Sequence, residues 1–379
     1  MKLIHRHIFG SVAGTCAAAV GLFGFVLLLG NVLRDLLGYL LSGQIEPMTF
    51  AKLAWLLVPF VVTYALPMGI LTGVLLVLGR MTSDREITAL RSAGLSVAGL
   101  SAPILFFALL GVGLSLMINF QFMPEARVAY HRELADAIST NPLSFIVPRT
   151  FIREFPDKVI YVGSMRGVEL QDIWVWELDR QGRARAMHRA ESGQIHFDER
   201  QNALVLTGRH VTSDFRSRKD PETFDDNETL GQAGEATYVF SLEKLTGAHT
   251  VQTKLKWMTF GQLMTEWRRF GAPDAGLTAA ERARQRMRVQ VTIHEKFATA
   301  FSVLSFALIA IPLGIKVSRK ETSANLGVAL VLAMGYYFAT VVVGWFDNLP
   351  AFRPDLLMWL PNLGFQALGA WMFYKSDRQ

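Results

Sequence analysis

Six long apolar runs alternate with short charged stretches along this chain of 379 residues. They cover residues 8–33, 53–79 and 92–124, and then residues 297–315, 322–346 and 356–374. A helix needs roughly 20 apolar residues to cross a hydrocarbon core. The pattern therefore predicts six transmembrane helices, three before and three after a polar middle. The first run follows basic residues as a signal peptide does, but its apolar stretch is too long for that interpretation.

The polar middle, from residue 125 to about residue 292, has no run long enough to span a membrane. Segments rich in β-branched and aromatic residues recur at positions 159–162, 173–178, 193–197, 203–207 and 237–241. Turn-rich pieces such as residues 179–182 separate them, and the polar segment 216–235 is typical of a long exposed loop. We predict an antiparallel β sandwich or roll.

Two helix signals follow the strands. Apolar residues at helical spacing predict an amphipathic helix that packs at the membrane face of the β domain. They are Phe260, Leu263, Met264 and Trp267. Thr278 and Glu281 then have the spacing of a capping box and open a basic helix that runs into the fourth span. The predicted domains are residues 1–124, with spans 1–3; residues 125–277, with the β domain and the amphipathic helix; and residues 278–379, with the basic helix and spans 4–6.

Composition supports a membrane protein, because 51% of the residues are hydrophobic and only 18% are charged. The net charge of +6 does not require a nucleic-acid partner, since lysines and arginines that flank membrane segments account for much of it. The single cysteine, Cys16, excludes an intramolecular disulfide and is expected to lie in lipid. No phosphate-binding loop motif occurs, so nucleotide hydrolysis of that type must come from another chain.

The charges of the short loops predict the orientation in the membrane. With both termini in the cytoplasm, the short outer loops carry only Arg34, Lys52 and Arg353. The cytoplasmic side then carries Lys2, Arg6, Arg80, Arg85, Arg91, Lys316, Arg319, Lys320, Lys375 and Arg378. This asymmetry follows the positive-inside rule and places residues from about 125 to 290 outside the cytoplasm.

A charged island at residues 80–96 lies between the second and third apolar runs. Ser83 and Glu86 have the spacing of a capping box, and Asp84 falls in the predicted first turn, so a short surface helix over about residues 82–94 is expected. Ile87 and Leu90 share one face of it, and Gly94 lies near its end. Such a helix, held at both ends by spanning helices, could carry force between a soluble partner and the membrane domain.

Motifs for catalysis are weak. His294 and Glu295 begin the zinc-protease pattern His-Glu-x-x-His, but position 298 is alanine, so we expect no metal site. No serine or cysteine nucleophile motif is found either. Four arginines, at positions 282, 284, 286 and 288, are spaced so that pairs share a helix face and repel each other. A nearby anionic surface would relieve that repulsion.

At this level the chain resembles the lipopolysaccharide-export permease family, the LptF/LptG (YjgP/YjgQ) type, and the LptF-like branch in particular. The resemblance covers the whole length. It rests on the three-plus-three layout, the island, the segment Ile311-Pro-Leu-Gly314 and the segment Trp359-Leu-Pro-Asn362. The choice of branch rests on the island and on residues 34–45.

The resemblance implies six transmembrane helices with an inserted all-β periplasmic jellyroll-like domain, in the bacterial inner membrane. It implies a heterodimer with a paralogous permease, two copies of a cytoplasmic ABC ATPase that binds the ATP, and a periplasmic bridge protein. The chain itself would need no cofactor and would not be an enzyme. Lipopolysaccharide would be extracted from the inner membrane and passed to the bridge.

The resemblance also implies residue roles. The coupling residues would be Ser83, Asp84, Arg85, Glu86, Ile87, Leu90 and Gly94, with Glu86 pairing with an ATPase arginine and Ile87 and Leu90 supplying the apolar side of that contact. Glu86 could instead cap its own helix. Arg85 and Arg91 could be positive-inside residues that face lipid. Arg34, Lys296 and Arg288 are candidates for binding lipid phosphates in a cavity. Arg34 and Lys296 could instead be charges that reach the interface by snorkelling.

Two other hypotheses stay open. The chain could be a membrane-anchored enzyme acting on envelope lipid or glycan, which would need an acid, base or metal cluster in the β domain. It could also be a mechanical subunit of an ABC complex that moves no substrate. Mutation of Glu86 would impair transport and the mechanical role alike, whereas mutation of Arg34 would impair only transport.

Overall fold

A computed structural model of the chain describes residues 2–41, 45–140, 143, 146–153, 155, 157–179, 182–198, 203–215, 230–241, 254–272, 278–316, 322–346 and 353–377. The chain divides into two compact units. The helical unit comprises Met1–Leu33, Leu56–Val128 and Thr253–Gln379, and the second unit comprises Arg34–Trp55 and Ala129–Gln252. These units are close to the predicted domains, whose boundaries stay a prediction.

Helices account for the first unit and for the flanks of the second. In chain order they are α1 (Lys2–Leu27), α2 (Arg34–Leu41), α3 (Pro47–Leu56), α4 (Val58–Ser83), α5 (Glu86–Ser92), α6 (Val97–Met117), α7 (Met123–Thr140), α8 (Phe260–Arg269), α9 (Ala279–Lys316), α10 (Thr322–Gly344), α11 (Pro354–Leu357) and α12 (Leu360–Asp377). A π-helical stretch, Leu28–Leu33, follows α1, and another, Ile118–Phe122, joins α6 to α7.

Five helical segments among the described residues are long and apolar enough to cross a membrane. They are Leu3–Gly30, Val58–Ser83, Val97–Ala137, Ala279–Lys316 and Gly327–Gly344. The sixth predicted span corresponds to α12, which has 18 residues and packs along α9. A methyl group added at Gly369 of α12 would lie 2.9 Å from the carbonyl carbon of Leu308. The predicted fold class is confirmed, with three helices on each side of an inserted β domain.

Close contact between α1 and α4 depends on two glycines one turn apart. A methyl group added at Gly69 would lie 2.7 Å from the backbone nitrogen of Val20, and one added at Gly73 would lie 2.7 Å from Cα of Cys16. Small residues allow membrane helices to approach in this way. The prediction that Cys16 lies in lipid was wrong, because its side chain is 1% exposed against α4.

Two helices run beyond the apolar runs that predicted them. The third span continues from α6 through the π-helical stretch and along α7 to Thr140. The basic helix and the fourth span form one helix of 38 residues, α9, as predicted. Thr278 and Glu281 cap it reciprocally, since the Glu281 carboxylate accepts from the Thr278 nitrogen at 3.0 Å and the Thr278 hydroxyl accepts from the Glu281 nitrogen at 3.3 Å.

The second unit is built on a six-stranded antiparallel meander in the order β1-β2-β3-β4-β5-β6. Its strands are β1 (Phe151–Ile152), β2 (Lys158–Arg166), β3 (Glu169–Leu178), β4 (Ala184–Asp198), β5 (Ala203–Phe215) and β6 (Leu230–Ser241). Inward residues of β2 to β6 form one core. Phe155, just before β2, meets Phe240 of β6 with ring centroids 5.2 Å apart, so the sheet is curled as in a roll.

The strands are longer than their apolar centres predicted. Residues 230–235, expected to lie in an exposed loop, belong to β6 and pair with β5, where Glu235 lies opposite Arg209. That charged pair has an N–O distance of 3.4 Å, and such cross-strand pairs stabilise a strand without apolar residues. The rest of the predicted loop, residues 216–229, lies outside the described residues.

His188 is a polar member of this sheet. Its Nδ1 lies 2.8 Å from the Ser213 hydroxyl, and its ring packs on Tyr238 with centroids 5.2 Å apart. Burial lowers the pKa of His188 because the charged imidazolium would lose water. The neutral ring is therefore favoured in the folded domain.

The predicted amphipathic helix is α8, and it belongs to the helical unit. Thr259 caps it, with Gln262 completing the capping box. Leu263 is fully buried, and Phe260 meets the rings of Phe120 and Phe297. Part of the apolar face of α8 is thus covered by α9 and by the π-helical stretch, while Phe260 stays 42% exposed.

Candidate functional site

The island forms a turn and a short helix, but not with the predicted cap. The helix α4 continues through Ser83, and the Asp84 N–H still bonds to the Arg80 carbonyl. The chain then reverses at Arg85, whose φ of +61° is left-handed, and α5 begins at Glu86 without a side-chain cap. The Ser83–Glu86 capping box was therefore a wrong prediction, as was the place of Asp84 in the first turn. Tertiary packing extended α4 past the local signal.

The end of α5 confirms the prediction for Gly94. Its φ is +87°, its N–H bonds to the Arg91 carbonyl, and the Leu95 N–H bonds to the Leu90 carbonyl. These two bonds define a Schellman motif, in which glycine is favoured because it has no Cβ to clash. Ser96 then caps α6, accepting from the Gly99 nitrogen at 3.1 Å. The island therefore returns into the third span through a fixed turn.

The two faces of α5 differ. Ile87 is 3% exposed and, with Leu90 beside it, packs into the core of the helical unit. Ile87 therefore attaches α5 to the membrane helices and cannot supply an apolar contact to a partner, which corrects that part of the prediction. Arg85 and Glu86 are exposed, as are Ser83 and Asp84. The outward face of the island is thus short, polar and charged.

The island also touches the end of the fourth span. The Thr82 hydroxyl donates to the Gly314 carbonyl at 3.2 Å, over 232 residues of separation. A methyl group added at Gly314 would lie 2.7 Å from Cβ of Leu78, so glycine permits this approach of α9 to α4. Two of the segments that carry the family resemblance therefore meet at one place.

The third such segment, at residues 359–362, is a hydrogen-bonded node. Asn362 is fully buried, and its Oδ1 accepts from the hydroxyls of Ser305 and Tyr336 at 2.8 and 3.1 Å. Its Nδ2 donates to the Ala298 carbonyl at 2.7 Å. These partners lie on α9 and α10, whereas Asn362 lies on α12. One amide thus joins three spanning helices.

A cavity of about 190 Å³ lies beside the π-helical stretch at residues 118–122. Aromatic, hydroxyl and charged side chains line it together. They are Phe60, Thr63, Tyr64, Asn119, Met123, Arg127, Lys256, Trp257, Thr292, Glu295, Lys296 and Thr299. The mixture is amphipathic, with three cations and one carboxylate.

Lys296 is held in the wall of this cavity. It is 5% exposed, and its Nζ donates to the Asn119 carbonyl at 2.7 Å while lying 5.6 Å from the centre of the Phe120 ring. The prediction that it could snorkel to an interface was wrong, since the amine is bound inside the protein. The carbonyl that binds the amine belongs to the π-helical stretch, whose hydrogen bonds differ from those of a regular α-helix.

The other charges of the cavity are also engaged. Lys256 bonds to Glu295 at 2.9 Å, and the Arg127 guanidinium lies 4.0 Å above the Phe60 ring. Sequence reasoning missed Arg127 and Lys256. In the sequence, Arg127 is a basic residue just beyond the third span, and Lys256 is one just before the amphipathic helix. Only the fold shows that both line the same cavity.

Comparison with known proteins gives a family match over nearly the whole chain. Residues 6–375 match the model of the family described as lipopolysaccharide export system permease LptF/LptG. The chain belongs to this family. It is 20% identical over 349 residues to the lipopolysaccharide export system permease protein LptF of Escherichia coli K12, covering 91% of this chain and 88% of that protein. The LptF protein of Shigella flexneri gives the same values.

Membership in the LptF/LptG family confirms the predicted classification as an inner-membrane, multi-pass transport subunit. The enzyme hypothesis has no support from this family, whose ATP is bound by a partner ATPase. Within the part of the chain that the structure describes, no group of three His, Cys, Asp or Glu residues could hold a metal ion. His294 instead accepts a hydrogen bond at Nδ1 from Trp359 Nε1, at 3.0 Å.

Two more predicted residues of the LptF/LptG chain are Arg288 and Arg34. Arg288 is exposed, two turns earlier on α9. Arg34 opens α2 in the second unit, and its side chain lies outside the described residues. Of the neighbouring arginines, Arg286 stacks on the Trp267 ring at 4.3 Å, so an aromatic face contributes to stabilising that charge.

Proposed function

We propose that this chain is the LptF-like half of a transporter that extracts lipopolysaccharide from the inner membrane and passes it to a periplasmic bridge protein. It pairs with a paralogous permease, and two copies of a cytoplasmic ABC ATPase supply the energy. The family match over residues 6–375 carries this proposal. In this arrangement both termini are cytoplasmic and the β domain is periplasmic, in keeping with the charges of the short loops.

The island is proposed as the contact with the ATPase. Its exposed carboxylate, Glu86, is free of contacts with the core because Ile87 and Leu90 take that position. A charge-assisted bond from a partner arginine to Glu86 would be strong and directional. Because the Schellman turn at Gly94 and the Thr82–Gly314 bond fix the island at both sides, a push on α5 reaches α4, α6 and α9 together.

Lipid binding is proposed for the cavity beside Lys296. Its aromatic and hydroxyl groups suit a glycolipid, and its cations suit phosphate, an attraction that is strengthened away from water. Lys296 acts there from a fixed position, while Arg127 and Lys256 complete the charge. Arg34 and Arg288 are proposed as further phosphate contacts along the lipid path.

Co-purification tests the proposal. The tagged chain is isolated from its native membrane as wild type, Glu86→Arg and Glu169→Arg, and bound proteins and lipids are identified by mass spectrometry. Glu169 is an exposed carboxylate at the start of β3, so its variant controls for the change of charge. We expect wild type and Glu169→Arg to retain an ABC ATPase, a paralogous permease and an anionic glycolipid, and Glu86→Arg to lose the ATPase. Isolation of the wild-type chain without any ATPase would refute the proposal.

A further inference from the structure

The helix α10 is joined to the rest of the helical unit through two neighbouring tyrosines. Tyr336 donates to Asn362 on α12, and Tyr337 donates to the Tyr64 carbonyl on α4 at 3.3 Å. The opposite face of α10 is apolar and open, with Met334 62% and Phe338 68% exposed. The inner face of α10, where Ala329 and Ala333 are buried beside the tyrosines, therefore positions this helix.

The two tyrosines are held unequally. Tyr336 is 3% exposed and fits between Phe306 of α9 and Phe365 of α12, with ring centroids at 4.9 and 5.4 Å. Its hydroxyl meets an amide whose other partners, Ser305 and Ala298, lie on α9. Tyr337 is less buried, its hydroxyl donates to a backbone carbonyl on α4, and its ring lies 6.1 Å from that of Tyr64. Tyr336 therefore links α10 to α9 and α12, whereas Tyr337 links it to α4.

We propose that Asn362 is a positioning residue that clamps α9, α10 and α12 into one body. An asparagine is suited to this task because its oxygen accepts from two helices while its nitrogen donates to one of them. In a bilayer no water competes for these groups, so each bond persists unless a helix moves. A displacement that reaches α9 at Gly314 is then shared with α10. This last step rests on the proposed coupling of the island to an ATPase.

Spin-label distances test the clamp in the full chain. Met334 and Trp371, which is 60% exposed on α12, are replaced by labelled cysteines, and Cys16 is replaced by alanine so that it takes no label. Tyr336→Phe keeps the ring and removes one hydroxyl, and Tyr337→Phe is the matched change one residue away. We expect Tyr336→Phe to raise the population of displaced α10 about three-fold, the size of one lost hydrogen bond between membrane helices. Tyr337→Phe should leave the α10–α12 distance distribution unchanged.

Asn362→Leu should broaden the same distribution further, because it releases α9 as well. A distribution in Tyr336→Phe that equals the wild type, or an equal effect of Tyr337→Phe, would overturn the clamp even if Asn362→Leu fails to fold. In the co-purified complex we also expect Tyr336→Phe to reduce lipid released per ATP hydrolysed without changing ATP hydrolysis. If no ATPase co-purifies, the proposed function is refuted but the clamp is not. The clamp is tested by the spin-label distances, which do not require an ATPase.

Discussion

The contact between α1 and α4 predicts a sharp effect of adding one methyl group. In Gly73→Ala the new Cβ would lie 2.7 Å from Cα of Cys16, closer than packed atoms allow, and both groups are backbone or adjacent to it. The helices must separate, and overpacking of this kind costs about 1–3 kcal/mol. If that cost falls on local opening of α1, the open population rises about 5- to 150-fold.

Cys16 reports this opening directly, because it is the only cysteine and is 1% exposed. The assay is the rate of its alkylation by a membrane-permeant maleimide, with the chain in nanodiscs. Gly69→Ala collides with Val20 instead and should accelerate alkylation as well, without touching Cys16 itself. Gly14→Ala is the control, since a methyl group there meets nothing within 4 Å. Equal rates in Gly73→Ala, Gly69→Ala and Gly14→Ala would refute the reasoning.

Three further results are expected. Gly94→Ala forces a left-handed alanine and should lower the stability of the α5 turn by about 1 kcal/mol, measured by thermal unfolding. No such loss is expected in Gly113→Ala, where φ is helical and a methyl group meets nothing within 4 Å. Because the pKa of His188 is lowered in the folded domain, the unfolded chain takes up its proton first as the pH falls through about 6.5. Stability should then drop between about pH 7.5 and 5.5, and tryptophan fluorescence on heating should show less pH dependence in His188→Phe; equal dependence would contradict the assignment. Lys296→Met should reduce the anionic glycolipid that co-purifies, whereas Lys316→Met, at the exposed far end of α9, should not.

Local signals in the sequence predicted the elements well. Apolar length predicted the spans, and the Thr278–Glu281 capping box is present as predicted. The same pattern at Ser83 failed, since α4 continued where Thr82 reaches Gly314. Local patterns do not contain that contact.

The candidate site was predicted in its residue types but not in its geometry. Lys296 was recognised as a charge in a span, but its partner is a carbonyl 177 residues away, at a π-helical stretch that no propensity predicts. Ile87 was expected to face a partner. The apolar face of a short helix can pack against a partner or against the protein's own core, and the sequence does not distinguish the two. In the fold, Ile87 packs into the core. Long-range packing, rather than propensity, decides such cases.

The unbroken length of α9 makes it a lever. Its 38 residues extend about 57 Å, nearly twice the roughly 30 Å of a hydrocarbon core. In the proposed orientation, with Lys316 at one membrane edge, the Ala279 end would lie about 42 Å from the bilayer midplane, and a tilt of about 10° would move it by about 7 Å. A small tilt of α9 about the bilayer midplane is therefore amplified into a displacement comparable to the width of a sugar ring.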